Sequence, residues 1–409
     1  MRRLASLACV LVSLFGTAAQ AVDPQDFTLI ERGRYLAVVG DCTACHTRPG
    51  GPLMAGGRSL ETPFGNLLVP NITPDRGTGI GAWSDDQFYA GMHDGMAPDY
   101  HLYPAMPYVY YTKAKREDVM AIRAYLNTIP AVMNQVEVNQ LPFPFDIRAS
   151  LAGWNALFFK PGEWQDNPNK SAEWNRGGYL VEGLGHCGAC HTTKNLFGAD
   201  ESGSHLQGYA LQGWFAPEIT GKQPDGIGGW SVDDIVEYLK TGTNRYAAAS
   251  GPMAEEVGDS TRNWTIADLR AAAVYLKDQK GSDRAAPQPL AENDPRIQAG
   301  LAIYSDQCAA CHNLDGSGIS RLFPTLAGGP GVQARDPTSV LRVILEGTRV
   351  VGTPIAPTAP AMPSFAWKLS DAQVAAVASY VRNAWGNHAS AVSPADVSSA
   401  RSALSKRAE

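Results

Sequence analysis

Residues Cys42 to His46 read CTACH. Two cysteines separated by two residues and followed by a histidine can hold a structural zinc ion, form a redox-active disulfide, or attach a haem covalently. One copy does not choose among these uses. The pentapeptide returns as CGACH from Cys187 to His191 and as CAACH from Cys308 to His312.

The use of cysteine along the chain favours haem. Apart from Cys9 near the N-terminus, every cysteine belongs to one of the three CxxC pairs. Structural zinc needs four ligands, yet the pairs lie more than a hundred residues apart. A thioredoxin-like CxxC is expected once, beside a βαβ pattern. In CxxCH the two thiols add to the vinyl groups of one haem and the histidine ligates its iron. We therefore predict three haem c groups attached by Cys42, Cys45, Cys187, Cys190, Cys308 and Cys311, with His46, His191 and His312 as proximal ligands.

The first 21 residues predict export. Two arginines, an apolar run and the small-residue ending Ala19-Gln20-Ala21 are typical of a secretory signal peptide cleaved after Ala21. The alternative, an uncleaved membrane anchor, needs about 20 apolar residues, and the run is shorter. No later run is long enough to cross a bilayer, and a net charge of −6 argues against a nucleic-acid partner.

The sequence around each motif repeats. Short helices are predicted before the motifs, at residues 31–36, 175–180 and 298–303, each with a glycine where another helix would approach closely. Amphipathic helices with an acidic first turn are predicted well after them, ending in AYL, VYL and SYV. Three copies of helix, CxxCH, loop and helix indicate a mainly α fold of three tandem domains, each with one covalent haem, that resemble small class I cytochrome c domains.

Methionine is the expected distal ligand. After Cys187 the chain has two methionines, Met253 and Met362, one in each later domain. In the first domain Met106 is preferred over Met54, Met92, Met96, Met120 and Met133, because it shares the Met-Pro context of Met362. Histidines could compete: His93 and His101 in the first domain, His205 in the second and His388 after the third. His186 is interpreted as a loop residue.

Composition places the boundaries. We predict a signal peptide at 1–21, domains at 22–140, 141–285 and 286–390, and a polar tail at 391–409. Residues 72–86 and 219–234 are duplicates, interpreted as a loop that covers a haem edge and enters a serine-capped helix. The aromatic-rich connector 141–174 predicts interdomain packing, or else a surface facing a partner or membrane. The tail predicts a weakly amphipathic helix that could contact a membrane peripherally.

Several longer stretches resemble one family. These are GRYL (33–36), TPFGNLLVPNITPD (62–75), LYPAMPY (102–108), WNRGGYLVEGLGHCGACHT (174–192) and AMPSF (361–365). They are similar to the triheme cytochrome c subunit of bacterial membrane-bound dehydrogenases. The family includes partners of quinoprotein alcohol dehydrogenase and of flavin-dependent gluconate, sorbitol and fructose dehydrogenases.

The resemblance implies an electron-transfer subunit on the periplasmic side of the cytoplasmic membrane. Its expected partners are a PQQ- or FAD-dependent catalytic subunit, a small third subunit, and ubiquinone or a terminal oxidase as acceptor. Iron with both axial positions filled by protein leaves no place for substrate, so no substrate chemistry is expected on this chain alone. The alternatives are an independent periplasmic shuttle, an oxidase-linked cytochrome, and a haem peroxidase with one open distal position.

Overall fold

The structure is a computed structural model that describes residues 26–137, 141–285 and 287–408. The predicted signal peptide, 1–21, lies outside the described residues. The first part of the chain contains α1 (Phe27–Val39), α2 (Cys42–His46), β1 (Ser59–Thr62), β2 (Gly65–Leu68), α3 (Asp85–His93), α4 (Tyr108–Tyr111) and α5 (Arg116–Leu126).

The second part repeats this order with additions. It contains α6 (Ser150–Phe158), α7 (Ala172–Tyr179), a π-helical turn (Leu180–Leu184), α8 (Gly188–His191), a 3₁₀ turn (Ser202–Ser204), β3 (Tyr209–Leu211), β4 (Trp214–Ala216), α9 (Val232–Thr241), α10 (Pro252–Asp259), a second 3₁₀ turn (Thr261–Asn263) and α11 (Ile266–Lys277).

The third part is built around the same pair of helices. It contains α12 (Pro295–Gln307), α13 (Ala309–His312), α14 (Pro330–Gln333), α15 (Thr338–Glu346), β5 (Thr348–Arg349), β6 (Ala361–Met362), α16 (Asp371–Val381) and α17 (Pro394–Ala408). The strands pair as antiparallel hairpins: β1 with β2, β3 with β4 and β5 with β6.

A pair of packed helices recurs in each part: α1 with α5, α7 with α11 and α12 with α16. The expected glycines lie at the contact. A Cβ on Gly33 would overlap the carbonyl of Ala121, and one on Gly177 or Gly300 would overlap the carbonyl of Ala271 or Ala376. Glycine is therefore required here because the two backbones touch.

The core divides unevenly. The buried side chains of the first and second parts form one continuous cluster, and those of the third part form another. Two tyrosines join the first and second parts reciprocally. Tyr35 on α1 donates to Asp268 Oδ2 of α11 at 2.6 Å, and Tyr179 on α7 donates to Asp118 Oδ2 of α5. Burial raises the pKa of Tyr35 to about 12, so its hydroxyl remains a donor.

The chain segments singled out in the sequence have definite places. Ser84 and Ser231 cap α3 and α9 with capping boxes, as the duplicated segment predicted. The predicted tail helix is α17, and its apolar residues Val397 and Leu404 are buried in the third part's core. Those two side chains are therefore not available to a membrane.

The connector contains aromatic side chains in both of the predicted settings. Phe159 packs edge-on against Tyr108 of the first part at 5.0 Å between ring centroids, and Trp164 packs edge-on against Tyr275 within the second part at 6.1 Å. Phe143 is exposed instead. Part of the connector therefore packs between the first and second parts, and part forms surface.

Candidate functional site

One cavity of about 1160 Å³ runs through the molecule and reaches all three motifs. Its walls include every predicted donor: Cys42, Cys45, His46, Met106, Cys187, Cys190, His191, Met253, Cys308, Cys311, His312 and Met362. The cavity exceeds the roughly 300–1,000 Å³ of a usual small-ligand pocket. Three CxxCH segments from distant parts of the chain thus border a single, mostly apolar space.

Each of the three motif histidines makes the same kind of hydrogen bond, to the carbonyl oxygen of a proline. His46 Nδ1 lies 2.8 Å from the Pro70 carbonyl oxygen, His191 Nδ1 lies 2.7 Å from that of Pro217, and His312 Nδ1 lies 3.1 Å from that of Pro324. A carbonyl oxygen can only accept, so each Nδ1 carries the hydrogen and donates it. Each Nε2 therefore keeps a lone pair free for a metal.

Burial keeps these histidines neutral. Desolvation lowers the pKa of His46 to about 4 and lowers the pKa of His191 and His312 as well, against the opposing effect of the carbonyl contact. Neutral imidazole is the form that ligates iron. The proline carbonyls fix both the tautomer and the ring orientation that ligation needs.

The cysteines lie at the start of short helices. Cys42 begins α2, and Cys187 and Cys308 directly precede α8 and α13. None of the six described cysteines is paired in a disulfide. Burial raises the pKa of Cys42 to about 12 and that of Cys45 to about 11, so both are thiols at neutral pH.

The predicted distal methionines come from three different local structures. Met106 lies in the loop before α4, where its backbone N–H donates to the Tyr103 carbonyl at 2.9 Å. Met253 is in the first turn of α10, and Met362 is in β6, paired with Thr348. All three methionines line the cavity.

The four histidines that could compete as distal ligands do not line the cavity. His93 Nδ1 is 2.7 Å from Asp94 Oδ1, and His205 Nε2 is 2.9 Å from Glu182 Oε1. Neither these two nor His101 and His388 are among the cavity-lining residues. His186 does line the cavity; its ring stacks on Tyr111 at 5.6 Å and its Nδ1 donates to the Gly185 carbonyl at 2.7 Å. The geometry therefore favours methionine over these four histidines.

The duplicated loops form part of the cavity wall, through Ile80 and Trp83 in the first and Ile227 and Trp230 in the second. Each loop is held by a cationic side chain, one on α5 and the other on α11. Arg123 of α5 donates to the Ile80 carbonyl at 3.1 Å and the Trp83 carbonyl at 2.7 Å. Lys277 of α11 donates to the carbonyls of Gly228 and Trp230. This placement supports the interpretation that both loops cover a cofactor edge.

The first motif lies close to α10, the helix that carries Met253. Arg58 donates to the carbonyl of Ala44, inside the first motif, and to Glu255 Oε2 at 2.7 Å, two residues after Met253. Asp41, just before Cys42, lies beside Glu256 on α10, close enough for the two carboxyls to interact. Both carboxyls line the cavity, and burial raises the pKa of Asp41 to about 10 and that of Glu256 to about 7. Burial therefore favours the neutral form of both carboxyls where the start of α2 meets α10.

Sequence reasoning missed the three proline acceptors and the Asp41–Glu256 pair. Pro70 and Pro217 were within reach, because they lie two residues before Ile72 and Ile219, the first residues of the duplicated segments. Extending the match would have included them. Nothing in the sequence pairs Asp41 with Glu256, which are 215 positions apart.

Comparisons with known proteins agree with this geometry. Residues 297–385 match the cytochrome c family. Over the whole chain, the protein is 38% identical to the gluconate 2-dehydrogenase cytochrome c subunit of Pantoea cypripedii, covering 97% of this chain and 95% of that protein. The chain belongs to the family of dehydrogenase cytochrome c subunits.

Two further members illustrate the range of the family. The cytochrome c subunit of the alcohol dehydrogenase (quinone) of Gluconobacter oxydans is 37% identical, with 98% of this chain and 87% of that protein covered. The fructose dehydrogenase cytochrome subunit of Gluconobacter japonicus is 36% identical, with 89% and 81% covered. A cytochrome c domain implies covalently bound haem c, and the thiols, imidazoles and thioethers around the cavity fit that group.

Two features are absent from the described part of the chain. No group of three or more His, Cys, Asp or Glu side chains in residues 26–137, 141–285 and 287–408 is arranged to hold a metal ion. Within the same residues, no helix combines the length and the apolar character needed to cross a membrane.

Proposed function

We propose that this chain is a triheme electron-relay subunit of a dehydrogenase complex. It would have three tandem cytochrome c domains, at 22–140, 141–285 and 286–390 followed by the tail 391–409. The observation that carries the proposal is the repeated donor set: a motif histidine whose Nδ1 is held by a proline carbonyl, beside two thiols, with a methionine on the same cavity. One such set occurs in each part.

The proposed residue roles follow from this set. The six cysteines would attach the haems, and two sets of side chains would bind their irons: the imidazoles of His46, His191 and His312 and the thioethers of Met106, Met253 and Met362. When bound, each haem supplies an iron that accepts and gives up one electron. The protein's part would be to supply the iron ligands, exclude substrate from the metal, and hold the three sites around one continuous cavity so that electrons can pass between them.

The names of the relatives indicate what kind of partner to expect. Their names assign them to gluconate 2-dehydrogenase, alcohol dehydrogenase (quinone) and fructose dehydrogenase. We infer a catalytic subunit using FAD or PQQ to oxidise an alcohol, sugar or sugar acid, a small third subunit, and ubiquinone or a terminal oxidase as the acceptor. We place the complex on the periplasmic side of the cytoplasmic membrane, with peripheral membrane contact.

Purification of the tagged full chain from membranes without unfolding tests the partner. The expected result is a copurifying large subunit, and haem reduction when the complex is given gluconate, ethanol or fructose. Isolation of the chain alone would favour an independent shuttle, and isolation with oxidase subunits would favour the oxidase-linked cytochrome.

The haem content and ligands are tested on the same preparation. A pyridine haemochrome assay should give three haems per chain. Met106→Ala, Met253→Ala and Met362→Ala should each open one distal position, so that the reduced protein binds carbon monoxide at one haem. A wild-type protein that already binds carbon monoxide would have an open site, as a peroxidase requires, and would contradict the relay.

A further inference from the structure

Met253 has a different local setting from Met106 and Met362. Those two methionines are each followed by proline, whereas Met253 is followed by Ala254. Met253 is instead preceded by Pro252 at the first position of α10, with Gly251 as the N-cap residue at φ 57°. The position of Met253 is therefore set by the first turn of α10 and by the side chains that pack against that turn.

Trp214 packs against that start. Its indole lies directly against Gly251: a Cβ at Gly251 would be only 2.6 Å from Trp214 Cζ2 and 2.9 Å from Cδ2. Both Trp214 and Met253 line the cavity. The ring thus occupies the space beside the residue that leads into Pro252 and Met253.

Trp214 is held in turn by the third part of the molecule. The Arg342 guanidinium of α15 lies 4.7 Å from the Trp214 ring centroid, within cation–π range. The same guanidinium donates to the carbonyls of Gln212 at 3.1 Å and Gly213 at 3.4 Å, in the turn of the β3–β4 hairpin. Glu346 Oε2 holds Arg342 Nε at 3.0 Å.

A second contact fixes the hairpin beside Trp214. The Phe215 N–H donates to Ser339 Oγ of α15 at 2.8 Å, and Ser339 Oγ donates to the Phe215 carbonyl at 3.1 Å. Helix α15 therefore binds the backbone on both sides of Trp214 as well as its ring. The rotational position of the indole against Gly251 depends on the contact between the second and third parts.

We propose that Trp214, held by Arg342, is a positioning residue for Met253, so that distal ligation in the second haem site depends on the contact with α15. The inference rests on the proposed function, because it takes Met253 to be an iron ligand. Trp214 acts through Met253 and does not itself ligate. Removing its ring frees the Gly251-Pro252 turn to move, and the Met253 thioether then dissociates more readily.

The test uses the haem-loaded full chain and carbon monoxide as the probe. Met253→Ala first identifies the second haem by its new carbon monoxide adduct. Trp214→Ala should raise the equilibrium constant for opening that same distal position at least tenfold and shift the midpoint potential of that haem. Arg342→Ala should change both quantities in the same direction by less, and Trp214→Phe should restore most of the ligation.

Matched variants separate positioning from general damage. Trp154→Ala removes an aromatic that is absent from the cavity wall, and Arg296→Ala removes an exposed arginine bound to Asp294; both should leave carbon monoxide binding unchanged. In a double-mutant cycle, Trp214→Ala should add nothing to the second-haem carbon monoxide binding of Met253→Ala.

The outcomes are distinguishable. Trp214→Ala protein that carries three haems and matches wild type in carbon monoxide binding and in all three potentials would overturn the inference. If Trp214→Ala fails to incorporate haem, Arg342→Ala decides, since it keeps the Trp214 side chain but removes the group that holds it, and a wild-type result for it overturns the inference. If Met253→Ala itself opens no site, then Met253 is not a ligand and the proposed function is what fails.

Discussion

Gly300 should be intolerant of even one added methyl group. It lies where α12 meets α16, and a Cβ built there would be 2.5 Å from Tyr380 Cβ and 2.9 Å from the Ala376 carbonyl carbon, with the carbonyl oxygen closer still. Ordinary van der Waals contact begins at 3.4 Å, so the helices must separate by about 1 Å in Gly300→Ala. The obstacle is mainly backbone and Cβ, which cannot rotate away.

The expected magnitude is a balance of two effects. Overpacking a core costs about 1–3 kcal/mol, and alanine's better helix propensity returns up to about 1 kcal/mol. Because the obstacle is rigid, we expect the upper end of the first range and a net loss of about 2 kcal/mol. For a domain of roughly 100 residues this lowers the melting temperature by roughly 8–16 °C.

Calorimetry and far-UV circular dichroism of the haem-loaded full chain measure the change, since the third part has its own core and should give its own transition. Gly153→Ala is the matched control. It lies in α6 with nothing within 4 Å of its Cβ, so it should be neutral or slightly stabilising. If the third-part transition of Gly300→Ala equals that of Gly153→Ala, the helix contact is not as tight as argued.

Three further predictions concern the loop cation, the buried carboxyls and the last helix. Arg123→Ala should destabilise the first part by about 3 kcal/mol in chemical denaturation, because it leaves the Ile80 and Trp83 carbonyls without their charged donor. Arg116→Ala, on the same helix but in an exposed pair with Asp86, should cost under about 1 kcal/mol; equal losses would refute the role assigned to Arg123. Burial raises the pKa of Asp41 to about 10 and that of Glu256 to about 7, from ordinary values of 3.8 and 4.5. The stability linked to these groups is therefore complete below about pH 4 and is lost as the pH rises through their folded-state pKa values. The unfolding free energy measured from pH 5 to 8 should fall with pH in wild type and fall less in Glu256→Gln, and parallel pH profiles would contradict the pairing. Leu404→Ala should lower the stability of the third part by about 2–3 kcal/mol because Leu404 is packed in that core, whereas Leu196→Ala, at a side chain 93% exposed, should melt like wild type.

Helices, caps and repeats were largely predictable because their causes are local. The acidic first turns before AYL, VYL and SYV correctly placed α5, α11 and α16, and Ser84 and Ser231 correctly placed the starts of α3 and α9. Such signals lie within a few residues of the element they start. The division of the core was not predictable in the same way, because joining the first two parts depends on side chains that meet across them.

The candidate site likewise has a part that could be predicted from the sequence and a part that could not. By itself, the sequence determined which atoms could bind a cofactor: three pairs of thiols, three imidazoles and the methionines that could face them, since CxxCH chemistry lies within five contiguous residues. Only the tertiary structure decided what holds those atoms in place. Three kinds of contact do so: the proline carbonyls that accept from each Nδ1, the hydrogen bonds from Tyr35 to α11 and from Tyr179 to α5, and the packing of Arg342 on Trp214. These contacts join residues 12 to 233 positions apart. A hydrogen bond or ring contact depends on distance in space, and spacing along a chain does not specify that distance until the chain has folded.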